Sequence, residues 1–210
     1  MGDPLDFCRN RLPELFTRTF ASLEQRAQAG DEALRQRIRS MSAQPVGTRL
    51  RFTGEGGGEV GLSSHGRALR VVSEVPAFGY ALELPIAAAA YGVDRFDGGQ
   101  LEAEGVGRAL GLLATEHARE LFEKNSYCLD LTITAVPVLG DVRARIGLGR
   151  TDLDGPSEFT LEIEYDELED AREQGMRPHQ LFMAGKLKMD GDVAKAMLLG
   201  MTLAQLEQSP

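Results

Sequence analysis

Residues 181–199 read LFMAGKLKMDGDVAKAMLL, and the interpretation of the whole chain can be built outward from this stretch. Leu187 and Met189 alternate with charged side chains, which is the two-residue period of a half-buried strand. Gly191 breaks this strand, and Asp192 is a good N-cap for the apolar residues that follow at helical spacing. The stretch therefore predicts a strand whose apolar face lies beneath the start of an apolar helix.

The same stretch resembles the signature of the sterol carrier protein type-2 family, roughly FxxGKLKxxGD followed by a helix rich in Ala, Met and Leu. The resemblance extends back to residues 159–168, FTLEIEYDEL, which are similar to the strand and helix that precede the signature in the family. The resemblance implies an α/β (α+β) fold, in which helices cover a curved, mostly antiparallel sheet. It also implies an apolar tunnel between sheet and helices that holds sterols, fatty acids or acyl-CoA.

Matched residue by residue, the resemblance implies six tunnel-lining candidates: Phe182, Leu187, Met189, Val193, Met197 and Leu198. On this interpretation Met197 is expected on the inner face of the C-terminal helix. The last part of the chain is rich in methionine, which suits loosely specified apolar ligands and equally suits adaptable core packing. Ala184 stands where the family often has Gln, which puts a polar contact to a ligand head group in doubt.

The first half of the chain carries a similar order of elements. Residues 82–84 stand opposite residues 161–163, and the Gly-Leu-Gly pattern of 99–105 stands opposite that of 185–191. We interpret this as a diverged internal duplication; the alternative is chance similarity between two strand-Gly-helix units. The predicted domain organisation has three parts: N-terminal helices at 1–45, a first sterol-carrier-like half at 46–113, and a second half at 114–210.

Composition excludes several classes of function. The net charge is −9, which argues against nonspecific nucleic-acid binding because that binding needs a basic surface. Cys8 and Cys128 are far apart and indicate neither a disulfide framework nor a zinc site. No apolar run approaches the ~20 residues of a membrane span, so we expect no stable membrane insertion and a cytoplasmic location.

Motifs for catalysis or cofactor binding are weak. Gly56, Gly58 and Gly61 match GxGxxG, but a strand is predicted to follow, whereas dinucleotide binding needs a helix there. The three histidines are isolated, and the acidic run at 162–170 is typical of a solvated surface. We therefore predict no catalytic residue, no metal site and no cofactor.

The sequence thus favours non-enzymatic binding or transfer of an apolar ligand, such as a fatty acid, acyl-CoA or sterol-like lipid. The alternative is an interaction module of the same fold with a filled cavity, which dimerises or supports a partner enzyme. A third hypothesis, less favoured, is an enzyme whose site lies between the two halves. A homodimer and a complex with another protein both remain open at this point.

Overall fold

The strands of the chain join one sheet in the computed structural model, which describes residues 2–65, 68–95, 115–176 and 178–208. The eight strands are β1 (Val46–Thr53), β2 (Gly58–His65), β3 (Ala68–Val71), β4 (Gly79–Pro85), β5 (Tyr127–Val136), β6 (Gly140–Leu148), β7 (Phe159–Glu164) and β8 (Leu187–Gly191). In space they run β3-β2-β1-β4-β6-β5-β7-β8. The pairs β1–β4 and β5–β7 are parallel and the other neighbours are antiparallel, which confirms an α/β fold on a mostly antiparallel sheet.

Helices precede, separate and follow these strands. In the described part of the chain they are α1 (Pro4–Asp6), a π-helical turn (Phe7–Arg11), α2 (Leu12–Gln28), α3 (Glu32–Arg39), α4 (Ile86–Arg95), α5 (Glu116–Lys124), α6 (Tyr165–Gln174), α7 (Pro178–Met183) and α8 (Val193–Gln208). The sequence Ala29-Gly30-Asp31 predicts a helix end followed by a new N-cap, and this break is confirmed, since Asp31 caps α3 by accepting a hydrogen bond from the Leu34 backbone N–H at 3.0 Å.

The two halves repeat one arrangement of strands. In each, an antiparallel hairpin is followed by a strand that runs parallel to the first strand of that hairpin: β1, β2 and β4 in one half, and β5, β6 and β7 in the other. Leu84 and Ile163 each lie two residues before the helix that follows, α4 or α6. Segments 82–84 and 161–163 therefore occupy corresponding places. The duplication itself stays a prediction, because residues 99–105 lie outside the described part of the chain.

The halves differ in which strand pairs with the second strand of each hairpin. In the N-terminal half β3 pairs with β2, whereas in the C-terminal half β4 occupies the place beside β6. Four residue pairs form this seam, from Tyr80 opposite Leu148 to Glu83 opposite Arg145. The sheet is therefore continuous across the predicted boundary at residue 114.

Alternation along the strands gives the sheet one apolar and one polar face. Tyr127, Leu129 and Phe159 point toward the helices and pack with Phe122 of α5 and Leu199 of α8. The ring centroids of Phe122 and Tyr127 are 6.3 Å apart in an edge-to-face pair, a favourable aromatic geometry. This cluster is the core of the C-terminal half.

The polar face carries cross-strand ion pairs. In the C-terminal half Arg145 contacts Asp130 on the neighbouring strand at 2.9 Å, and Ser157 donates a hydrogen bond to the same carboxylate at 2.7 Å. In the N-terminal half Arg51 lies between Glu59 at 3.4 Å and Glu83 at 3.1 Å. These pairs satisfy the charges of a face that the core helices do not cover.

Arg119 of α5 connects the two halves from the helical side. Its side chain is buried, and it donates hydrogen bonds to the Pro45 carbonyl at 2.8 Å and to Ser42 Oγ at 3.1 Å. The guanidinium carbon also lies 4.2 Å from the centroid of the Phe78 ring, within the range of a cation–π interaction. The counter-charge comes from Glu123 of α5 itself, at 3.0 Å, while Pro45, Ser42 and Phe78 supply the partners from the N-terminal half.

Candidate functional site

The strand–glycine–helix unit predicted at residues 187–199 is present in the fold. β8 pairs with β7 and ends at Gly191, whose φ is 97°. A Cβ at this position would lie 2.9 Å from both the Glu158 carbonyl oxygen and Phe159 Cα, so only glycine allows β8 to approach β7 so closely. Asp192 then caps α8 by accepting a hydrogen bond from the Lys195 backbone N–H at 3.0 Å.

Ion pairs fix the position of β8 and of the start of α8. Lys188 Nζ lies 2.7 Å from Glu162 Oε1 across the β7–β8 pair. Lys195, in the first turn of α8, forms an ion pair with Glu158, which lies just before β7. In each case the neighbouring carboxylate raises the pKa of the lysine above its ordinary value, so both lysines are charged at neutral pH. These pairs hold the unit against its neighbour strand.

The inner face of α8 fills the space above the sheet. Ala196, Leu199 and Leu206 are buried in the same cluster as Phe159, and Met189 of β8 packs against that cluster from its edge. These core contacts pack α8 against the sheet beneath it.

The outer face of α8 is also apolar. Val193, Met197 and Met201 recur every four residues with Leu198 beside them, and all four are exposed; we call this set the α8 stripe. The side chain of Met197 is 54% exposed, so the expectation that it lies on the inner face is wrong. The reason is helical geometry: Ala196 and Leu199 point toward the sheet, which turns residue 197 away from it.

The six predicted lining residues do not converge on one surface. Leu187 is buried in a cluster with Ile163 and Leu181, and Met189 packs on the core beneath α8. The other four are exposed: Phe182 on α7, and Val193, Met197 and Leu198 on α8. Contact of any of the six with a ligand stays a prediction.

An apolar pocket that the sequence did not predict lies in the N-terminal half, with a volume of about 200 Å³. Its floor is the helix-facing side of β1 and β4, formed by Leu50, Phe52, Leu82 and Leu84. Its roof comes from three helical segments and consists of Pro4, Phe7, Cys8, Ala89, Gly92 and Val93. The alternation of apolar and polar residues at 48–53 and 80–85 predicts two half-buried strands and so indicates the floor, but no residue pattern indicates that the roof leaves a space.

The Cys8 thiol in this pocket is neutral at physiological pH. Burial raises its pKa to about 11, because the surrounding side chains disfavour the charged thiolate. Since the thiolate is the reactive form, the group serves as a small apolar wall residue here and is not an activated nucleophile.

Other chemical features of the site are few. Within the described ranges, no group of three or more His, Cys, Asp or Glu side chains is arranged to hold a metal ion. Among those same residues, no helix is both long and apolar enough to cross a membrane. The hydroxyl of Tyr127, buried in the core beneath α8, has no hydrogen-bond partner in this part of the chain. A buried hydroxyl of this kind is uncommon in native structures and calls for an explanation.

The C-terminal half resembles a known protein family. Residues 108–204 match the family model described as the SCP-2 sterol transfer family, so the resemblance drawn from the sequence is confirmed for this segment. A search of solved structures found sterol carrier protein 2 from Yarrowia lipolytica in its apo form, with 21% identity over 45% of this chain and 79% of that chain, at a TM-score of 0.31. A comparison with curated proteins gave no match.

Proposed function

We propose that the protein binds an apolar ligand, such as a fatty acid, an acyl-CoA or a sterol-like lipid, and carries it without catalysing a reaction on it. One observation carries the proposal: the α8 stripe stays exposed on a helix whose segment matches the SCP-2 sterol transfer family. The physical basis is burial, since each methylene group removed from water contributes about 0.8 kcal/mol.

The two faces of α8 support this proposal. A helix that lies on the surface of a soluble protein normally presents charged residues on its outer side. Here Val193, Met197 and Met201 occupy that side, while Ala196 and Leu199 fill the inner side. An exposed apolar surface of this kind is typical of a ligand or partner site. The methionines suit a ligand of variable shape, because their side chains are flexible and polarizable.

The Tyr127 hydroxyl is a candidate partner for the polar end of a ligand. It is buried beside Phe122 and below α8, and it has no partner among the described residues. Because this hydroxyl lies on the side of α8 opposite the α8 stripe, a ligand that satisfied it would enter beneath the helix, in a mode that Met197→Gln and Met201→Gln do not affect. Tyr127→Phe should then leave the ligand-free protein equally stable or more stable, because it removes an unsatisfied group. The same substitution should weaken ligand binding.

Binding can be tested with a fluorescent fatty acid and displacement by unlabelled lipids. We expect Met197→Gln combined with Met201→Gln to weaken binding about 5- to 30-fold, because two apolar contacts of about 0.5–1 kcal/mol each are lost. Val71→Gln is the matched control, since Val71 is an exposed apolar residue on β3, at the opposite end of the sheet from β8. Equal binding by the double variant and the control would overturn the assignment to α8.

The rival hypothesis is that the α8 stripe is a contact between two copies of the chain. Sedimentation analysis of the wild type and of the Met197→Gln, Met201→Gln double variant separates the two. A dimer that the double variant dissociates, together with no binding of fatty acid, acyl-CoA or sterol probes, would favour the interaction module. A monomer whose probe binding is weakened by the double variant would support the carrier at α8.

A further inference from the structure

We propose that the N-terminal half contains a second ligand site, in which the pocket above β1 and β4 takes the alkyl chain of a single-chain amphiphile such as a fatty acid. This site lies outside residues 108–204 and does not depend on the α8 stripe.

The lining of the pocket defines the chemical class of its ligand. The floor is formed by leucine and phenylalanine side chains, and the roof adds Pro4, Phe7 and Val93. The one heteroatom-bearing side chain in the lining is that of Cys8, whose thiol is held in its neutral form by burial. A carboxylate would find no charge or strong hydrogen-bond donor among these side chains, so the polar end of the ligand remains at the mouth and the hydrocarbon chain enters.

The volume restricts the ligand further. Pockets for drug-sized molecules have volumes of roughly 300–1,000 Å³, and this one is smaller, at about 200 Å³. A rigid ring system the size of a sterol does not fit in that space, whereas part of a flexible alkyl chain does. The site therefore favours linear chains over fused rings.

The corresponding place in the C-terminal half carries a buried cluster of side chains. There the strand positions equivalent to Leu82 and Leu84 are Leu161 and Ile163, and the cluster above them includes Leu181 and Leu168 from the covering helices. Two similar sheet surfaces thus carry a buried cluster in one half and an apolar pocket in the other. The open space in the N-terminal half is consequently a property of its roof.

The roof contains a hydrogen bond on its outer side and a π-helical turn. α1 is held to α4 by a hydrogen bond from the Gly2 backbone N–H to Asp94 Oδ1 at 2.6 Å, on the exposed side of the pocket. Phe7 and Cys8 belong to the π-helical turn between α1 and α2. Single π-helical turns inside helices are rare and are frequently found at functional sites. Here the turn places both side chains in the pocket wall.

Protection of Cys8 from thiol labelling provides a direct test. The full-length protein is incubated with hexanoate, octanoate, decanoate or dodecanoate and treated at pH ~9 with an apolar methanethiosulfonate, for long enough that Cys8 of the ligand-free protein is labelled, since its buried, neutral thiol reacts slowly. Labelling of each cysteine is measured by mass spectrometry. We expect half-protection of Cys8 at concentrations that fall about fourfold per methylene group until the chain fills the pocket. Cys128 is the internal control, because it is buried in a different cluster with Ala81 and Leu153.

Gly92 allows the pocket to be filled by mutation. It borders the pocket from α4, and a Cβ built on it meets no atom within 4 Å. Gly92→Leu should therefore fold and abolish the protection of Cys8. Gly200→Leu is the matched control, since Gly200 lies in α8 and a Cβ there also meets no atom within 4 Å. Protection should persist in this control.

The outcomes separate this proposal from the one for α8. Protection of Cys8 that persists in the Met197→Gln, Met201→Gln double variant supports an independent second site, whatever the fluorescent probe does at α8. If none of the four fatty acids protects Cys8 in the folded wild type, the proposal of a second site is overturned. Equal protection in Gly92→Leu and wild type would also overturn it.

Discussion

The N-terminal and C-terminal halves share their strand arrangement and differ in how helices cover it. Leu84 of β4 and Ile163 of β7 occupy corresponding positions, yet Leu84 borders an open pocket while Ile163 is buried in a closed cluster. The comparison indicates that sheet register places the apolar floor, and that the covering helices decide whether a cavity remains above it.

The size of the covering side chains accounts for this difference. Above β4 four of the six roof residues are small, namely Pro4, Cys8, Ala89 and Gly92, and Phe7 and Val93 complete the roof. Above β7 the cluster draws on larger side chains from the helices and their connection: Leu168, Met176 and Leu181. Because close packing requires the facing volumes to match, small roof residues over a floor of leucines leave space.

The largest expected effect comes from truncating the two corresponding floor residues. Ile163→Ala should lower the free energy of unfolding by about 2–5 kcal/mol, since it leaves a cavity in a filled cluster. Leu84→Ala should cost about 1 kcal/mol, because that side chain already borders open space and loses fewer contacts. Urea denaturation of both variants measures the difference. Equal losses would break the comparison between the halves.

A smaller effect is expected on the polar face of the sheet. The Arg145 guanidinium, which donates to both Asp130 oxygens, holds the pKa of this carboxyl below its ordinary value of 3.8. A lowered pKa stabilises the fold above the pKa of the unfolded chain, and this stability is lost as the pH falls through the folded value. Asp130→Asn should therefore lower stability by about 1 kcal/mol at pH ~7, with the difference shrinking below pH 3.8.

Glu59→Gln is the counterpart in the N-terminal half. Glu59 is paired with Arg49 at 2.5 Å and with Arg51 at 3.4 Å, and all three side chains are partly exposed. We expect a loss of about 0.5 kcal/mol, the ordinary range for solvent-screened pairs. Thermal unfolding of Asp130→Asn and Glu59→Gln, each at neutral and acidic pH, measures the two losses of stability. A pH-independent loss in Asp130→Asn would contradict the role given to its carboxylate.

The smallest effect concerns the two helical glycines. Gly92 in α4 and Gly200 in α8 both face open space at Cβ and do not have a positive φ. Alanine at either position should stabilise the protein by about 0.4–1 kcal/mol, chiefly by restricting the unfolded chain. Differential scanning fluorimetry measures the thermal midpoints of the two alanine variants. Destabilisation by Gly92→Ala alone would show that α4 uses the glycine for a close contact.

Local sequence signals predicted the strands and the caps well. The alternation at residues 187–189, the break at Gly191 and the cap at Asp192 all follow from short-range backbone preferences, and all are present. The helix break before Asp31 is of the same kind. These features depend on neighbours within a few residues, so a single sequence contains the information needed to predict them.

Features that depend on long-range packing were not predictable in this way. α8 is apolar on both sides, so its composition did not distinguish the inner Ala196 and Leu199 from the outer Met197. The pocket above β4 depends on how α1 and α4 meet, and the burial of Arg119 depends on Pro45 and Ser42, more than 70 residues away. Periodicity identifies apolar positions, but it does not say which of them will be covered.

The segment that matches the family is not a complete structural unit, because its strand β6 pairs with β4, which lies outside the segment. The family match begins at residue 108, yet the strand that completes the sheet beside β6 lies at 79–85. A fragment cut at the family boundary would leave the β6 edge, from Arg145 to Leu148, without its partner, and an open edge pairs readily with other chains. Recombinant work on this protein should therefore retain β4. This strand lies outside the segment that matches the family, but it pairs with β6 inside that segment.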